Sequence, residues 1–105
     1  MSAVKVLFSR SHMDLQDELQ AWLQRSESTI HSISMDSNDH GHCLVLLHEP
    51  GGSHRYAGQI FFSPGHASLE DVANRAMTTG RPGGQQLVAV GSNQFGHCLC
   101  IIREI

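Results

Sequence analysis

The sequence predicts an α+β domain built as a tandem duplication of one βαββ unit, and three observations lead there. The first is self-similarity. Residues 37–49, SNDHGHCLVLLHE, recur as residues 92–104, SNQFGHCLCIIRE, with seven of thirteen positions identical; residues 8–17 recur as residues 62–71 with five of ten identical. The offset is 55 in the first match and 54 in the second. The second observation is strict alternation of apolar residues in several short segments, the period of a half-buried strand. The third is a pair of apolar stripes at helical spacing.

The elements follow in order. The first strand runs from Ala3 to Ser9, with Val4, Val6 and Phe8 expected on the inner face and Lys5 on the other. Its counterpart runs from Tyr56 to Ser63, where Gly58, Ile60 and Phe62 take the inner positions. Leu15, Leu19, Trp22 and Leu23 form the stripe of the first helix; Leu69, Val72, Ala73, Ala76 and Met77 form that of the second. Asp14 and Ser68 are good capping types and are expected to begin the helices. The first helix ends near Arg25 to Ser28, and Gly80 ends the second ahead of a loop, Arg81-Pro82-Gly83-Gly84.

A hairpin closes each unit. Its first strands are Ile30 to Met35 and Gln86 to Val90, and its last are Cys43 to His48 and Cys98 to Arg103. The turns between them, Asp36 to Gly41 and Gly91 to Gly96, carry Asn and Gly, which tolerate positive φ. The last strands are apolar on both faces, as central or interfacial strands are. Pro50-Gly51-Gly52-Ser53-His54 is too short to separate independent domains. Residues 1–105 are therefore expected to form one domain of two repeats, about 3–49 and 56–104, packed about a pseudo-two-fold axis. The favoured arrangement is a six-stranded, mostly antiparallel sheet with both helices on one face. A closed six-stranded barrel with the helices outside fits the same pattern.

Bulk properties narrow the function classes. A net charge of -3 and a pI near 6.2 give no electrostatic footprint for nucleic acid, and no basic run suits a membrane surface. No segment has signal-peptide character or transmembrane length. Three cysteines, Cys43, Cys98 and Cys100, form an odd set that suits a reducing, cytoplasmic setting.

The chemistry-bearing residues are the histidines, eight in all. His12 and His66 occupy equivalent places before the helices; His42 and His97 occupy equivalent places after the hairpin turns. The functional reading gives each unit a site made of one pre-helix and one hairpin histidine, beside a helix N-terminus that suits an anion. The competing reading, which the sequence favours, is that each histidine braces its loop through a hydrogen bond to backbone. Metal binding is not expected: His42 and Cys43 point to opposite faces of a strand, and there is no CxxC or helical His pair. The cysteines read as small core residues rather than nucleophiles. Trp22 reads as core, and its replacement by Ala76 in the second unit prevents the halves from packing identically.

No motif in the chain names an activity. The expected function is a small soluble, non-catalytic binding or regulatory module without a cofactor, whose partner is a protein or a small anionic molecule. The alternative is a small enzyme or metal-binding protein using the repeated His and Cys residues. A homodimer is expected through an apolar sheet face, with Leu44, Leu46, Leu99 and Ile101 on one side or Val45 and Leu47 on the other.

Overall fold

A computed structural model describes residues 1–52, 54–77 and 83–105. Its elements are β1 (Ala3–Ser9), α1 (His12–Arg25), β2 (Ser28–Asn38), β3 (Gly41–Pro50), β4 (Tyr56–Ser63), α2 (His66–Met77), β5 (Gln86–Asn93) and β6 (Gly96–Glu104). The expected order of elements holds throughout. The expected helix stop at Gly80 and part of the loop after it, like Ser53 of the inter-unit segment, lie outside the described residues.

The strands form two three-stranded antiparallel sheets, ordered β1-β3-β2 and β4-β6-β5. They do not close into a barrel, and no ladder merges them into one six-stranded sheet. Instead β2 and β5 run side by side in the same direction: Gln85 Nε2 donates to the Ile30 carbonyl at 2.7 Å, and Asn93 Nδ2 donates to the Asn38 carbonyl at 3.2 Å. A register shift in β2 between Ile30 and Ser32 frees the Ile30 backbone for this junction. Its N–H donates to the Tyr56 hydroxyl at 3.1 Å, which in turn donates to Gln85 Oε1 at 3.0 Å.

The helices begin earlier than their sequence suggests. Ser11, not Asp14, is the N-cap of α1; its hydroxyl accepts from the Asp14 N–H at 3.1 Å. In α2 the Leu69 N–H bonds to the Gly65 carbonyl, and Ser68 turns its hydroxyl back onto that same carbonyl instead of capping. Both helices start about one turn sooner: in α1 the Ser11 hydroxyl reaches a free N–H of the first turn, and in α2 the Gly65 carbonyl accepts the first intrahelical bond.

The helices do not share a face. α1 puts Leu15, Leu19 and Trp22 into one core with Leu7, Ile30, Leu44 and Leu46 of the first sheet and Ile60, Cys98, Cys100 and Ile102 of the second. α2 packs Leu69, Ala73, Ala76 and Met77 on Leu99, Ile101 and Phe61. Residues 98, 100 and 102 alternate with 99 and 101 along β6, so α1 and α2 cover opposite faces of the second sheet. That arrangement buries β6 on both sides, as its composition requires.

One stripe of α1 tracks β4 in the opposite direction. His12 stacks on Phe62 with ring centroids 5.6 Å apart. Gln16 Oε1 accepts from the Ile60 N–H at 2.8 Å, and Gln20 Nε2 donates to the Gly58 carbonyl at 3.3 Å. Leu19 and Leu23 lie over Gly58. The match is geometric: four helical residues advance about 6.0 Å, two strand residues about 6.6 Å. The two glutamines thereby satisfy backbone groups on the free edge of β4.

The equivalent row of β1 is turned outward, contrary to the sequence expectation: Val4, Val6 and Phe8 are 61%, 55% and 51% exposed. Leu7, between them, is the residue in the core. Leu44, Leu46, Leu99 and Ile101, expected as one association face, are buried within the chain and offer no surface. Leu47 is exposed and Val45 half-buried on the outward face of β3.

A Cβ at Gly58 would stand 2.6 Å from Leu19 Cδ2 and 3.0 Å from both Leu19 Cγ and Leu23 Cδ1. Leu19 is fully buried and has no room to retreat. Gly58→Ala is therefore expected to destabilise the protein by about 1–3 kcal/mol in urea unfolding, as overpacking does, although alanine ordinarily improves on glycine in a strand. An unchanged or higher midpoint would show that α1 does not press on β4 here.

Candidate functional site

The hairpin turns fix the histidines that follow them. Asn38 Oδ1 accepts from the His40 N–H at 2.8 Å and the Gly41 N–H at 3.2 Å; Asn93 Oδ1 accepts from the Phe95 and Gly96 N–H groups at the same two distances. The turns are two residues long, shorter than the spacing of Asn and Gly suggests, because the strands continue to Asn38 and Asn93. Asparagine acts as an acceptor here and not as a positive-φ residue; positive φ occurs only at glycines among the described residues. At Gly96 a Cβ would stand 2.6 Å from the Ser63 carbonyl oxygen and 2.9 Å from the Phe62 ring, so glycine is required to let the turn reach β4. Gly41 is held in the same way against Ser9 and Phe8.

With the turn set, His42 and His97 reach back to the same partner type. His42 Nδ1 lies 2.7 Å from Ser37 Oγ, and His97 Nδ1 lies 2.6 Å from Ser92 Oγ. Both are braced, through a serine side chain on the neighbouring strand instead of through backbone. The environments then diverge. His42 is buried, and burial lowers its pKa from 6.5, with the charge of His12 nearby acting in the same direction. His97 is half-buried, and His66 is exposed as the first residue of α2.

His12 and His42 converge on one cleft of about 300 Å³ at the N-terminus of α1. Arg10, Asn38 and Asp39 line it from the first half of the chain, and Phe62, Asn93 and Phe95 from the second. His66 and His97 are not part of it. The cleft that His12 and His42 share is thus lined from both halves of the chain. The asymmetry follows from α1, whose His12 reaches Phe62 of the other half while α2 packs on its own sheet.

No family model, curated protein or solved structure matches this chain.

Arg10, Asn93, Phe62 and Phe95 were not singled out from the sequence. Asn93 and Phe62 carry a signal that was present: each is identical to its counterpart, Asn38 and Phe8. Arg10 and Phe95 have none, since Pro64 and His40 stand in their places. Ser9, directly across from His42 in the ladder, is 7% exposed, and its hydroxyl has no hydrogen-bond partner among the described residues. Its counterpart Ser63 bonds to Ser68 Oγ at 2.6 Å and to the Gly65 carbonyl at 3.0 Å.

The Cys98 and Cys100 thiols are buried and do not fit nucleophilic chemistry. Burial pushes Cys98 up to about 11 and Cys100 up to about 12. Among the described residues no three His, Cys, Asp or Glu side chains are grouped as metal ligands would be. No described helix is long and apolar enough to cross a membrane.

The lowered pKa of His42 sets a sign for pH dependence. The unfolded chain takes up the proton first, so the stability His42 contributes is complete above its unfolded value of 6.5. It is lost as pH falls from there through the lowered folded value. Thermal melts between about pH 7.5 and 5 should show wild type losing more stability than His42→Gln. Parallel curves would mean that His42 titrates normally.

Proposed function

We propose that this chain is a small binding module, without catalysis of its own, that takes a small anionic molecule in the cleft at the N-terminus of α1. The observation that carries this reading is the convergence of His12, His42 and Arg10 with Asn93, Phe62 and Phe95 from the other half. Arg10 supplies a permanent positive charge. The first N–H groups of α1 lie beside it, and of these only the Asp14 N–H is taken up by Ser11. When Ser37 donates to His42 Nδ1, the other ring nitrogen carries the proton and serves as a donor to an anion. The Phe62 and Phe95 rings offer an apolar wall, which suits a phosphate or carboxylate carried on a planar or apolar body. Asp39 on the rim disfavours a bare, highly charged anion.

The recurrence of turn, serine–histidine pair and close-packed glycine in both halves supports a tandem duplication. On that reading one copy of the site was retained at the junction while the other became a braced turn.

Thermal melts in phosphate, sulfate and an aromatic carboxylate, against a chloride control, test the proposal. At a concentration about 100 times Kd a bound anion should add about 2.7 kcal/mol of stability. The gain should vanish in Arg10→Gln and His42→Gln. A wild type indifferent to all three anions, or a gain that survives both substitutions, would overturn the reading.

A further inference from the structure

The geometry points to the outward row of β1 as the docking surface for α2 of a second copy of this chain. Val4, Val6 and Phe8, with Val45 and Leu47 beside them on β3, make one continuous apolar face without a helix over it. Its counterpart on the second sheet, the row Gly58, Ile60 and Phe62 with Cys98, Cys100 and Ile102, is covered by α1. The two rows hold the same register against their central strands: Val4 opposes Leu47 as Gly58 opposes Ile102, and Val6 opposes Val45 as Ile60 opposes Cys100.

The chain thus contains its own precedent for what covers such a row. The stripe of α1 that does so, His12, Gln16, Leu19, Gln20 and Leu23, corresponds in sequence to His66, Glu70, Ala73, Asn74 and Met77 of α2. α2 cannot reach β1 of its own chain, because it packs on β4 and β6, on the far face of the second sheet. Only another copy can bring it there.

Each position of the stripe matches what it would meet. His66 would lie on Phe8 as His12 lies on Phe62. A Glu70 carboxylate can accept from the Val6 N–H, as Gln16 Oε1 accepts from Ile60. The Asn74 amide can donate to the Val4 carbonyl, as Gln20 does to Gly58. Volumes compensate as well: large Leu19 lies over Gly58, whereas small Ala73 would lie over the larger Val4. His66 and Glu70 are exposed on α2 and so accessible to a second copy.

The contact is heterologous, helix of one copy on sheet of the next, and it either closes reciprocally or propagates. It is independent of the anion cleft. Sedimentation velocity over a concentration series is the test, with wild type, Val6→Glu and Glu70→Lys. The wild type should sediment at a multiple of 11.5 kDa, and each substitution, one on either side of the contact, should return it to 11.5 kDa with its far-ultraviolet circular dichroism unchanged. Both sites are exposed, so neither change removes a core contact; Glu70→Lys lies on a helix surface and retains the fold even if a charge on the strand does not. A wild type that stays at 11.5 kDa at about millimolar concentration, or an assembly that survives both substitutions, would overturn the proposal.

Discussion

Everything in this fold depends on one helix touching two sheets. A three-stranded sheet with a single helix on one side leaves its other face wet, and an isolated unit of that kind buries too little apolar surface to be stable. α1 resolves this for the second sheet by turning one stripe to the first sheet and another to β4. Leu19 participates in both, which is why Gly58 cannot carry a side chain. The glutamines beside it convert an open strand edge into a satisfied one. The β2–β5 junction, held by Tyr56 and Gln85 at the bulge, closes the opposite side.

The same asymmetry explains why histidines repeated in sequence do different work. In both halves a serine braces the hairpin histidine and an asparagine shapes the turn. Only in the first half does the pre-helix histidine meet a ring from the other half. The cleft therefore arises from how the units are joined and not from either unit alone.

Much of the fold was legible. β1 and β4 run as expected, because alternation over seven or eight residues leaves little freedom. The hairpin strands run longer than expected: serines and an aspartate in β2 hide its alternation, and its pairing with β3 extends to Asn38 and Gly41. Which face of β1 points inward was misread. Val4, Val6 and Phe8 are as apolar as any core row, and one strand's pattern cannot tell an interior from an uncovered exterior. The placing of the helices on opposite faces was beyond the sequence, since both stripes look alike and the decision rests on Gly58 meeting Leu19, 39 residues away in the chain. Of the site, His12 and His42 stand out by their repetition; their meeting with Phe62, Asn93 and Phe95 in one cleft does not, because it is a property of the junction.

The pairing of Gln16 with Ile60 spans 44 residues. During synthesis, at about 5–20 residues per second, α1 and its own sheet emerge shortly before β4. For that interval the Leu19 and Leu23 side of α1 faces water. Long-range closure of this kind slows folding relative to local pairing. The arrival of β4 is thus the event that completes the core around α1.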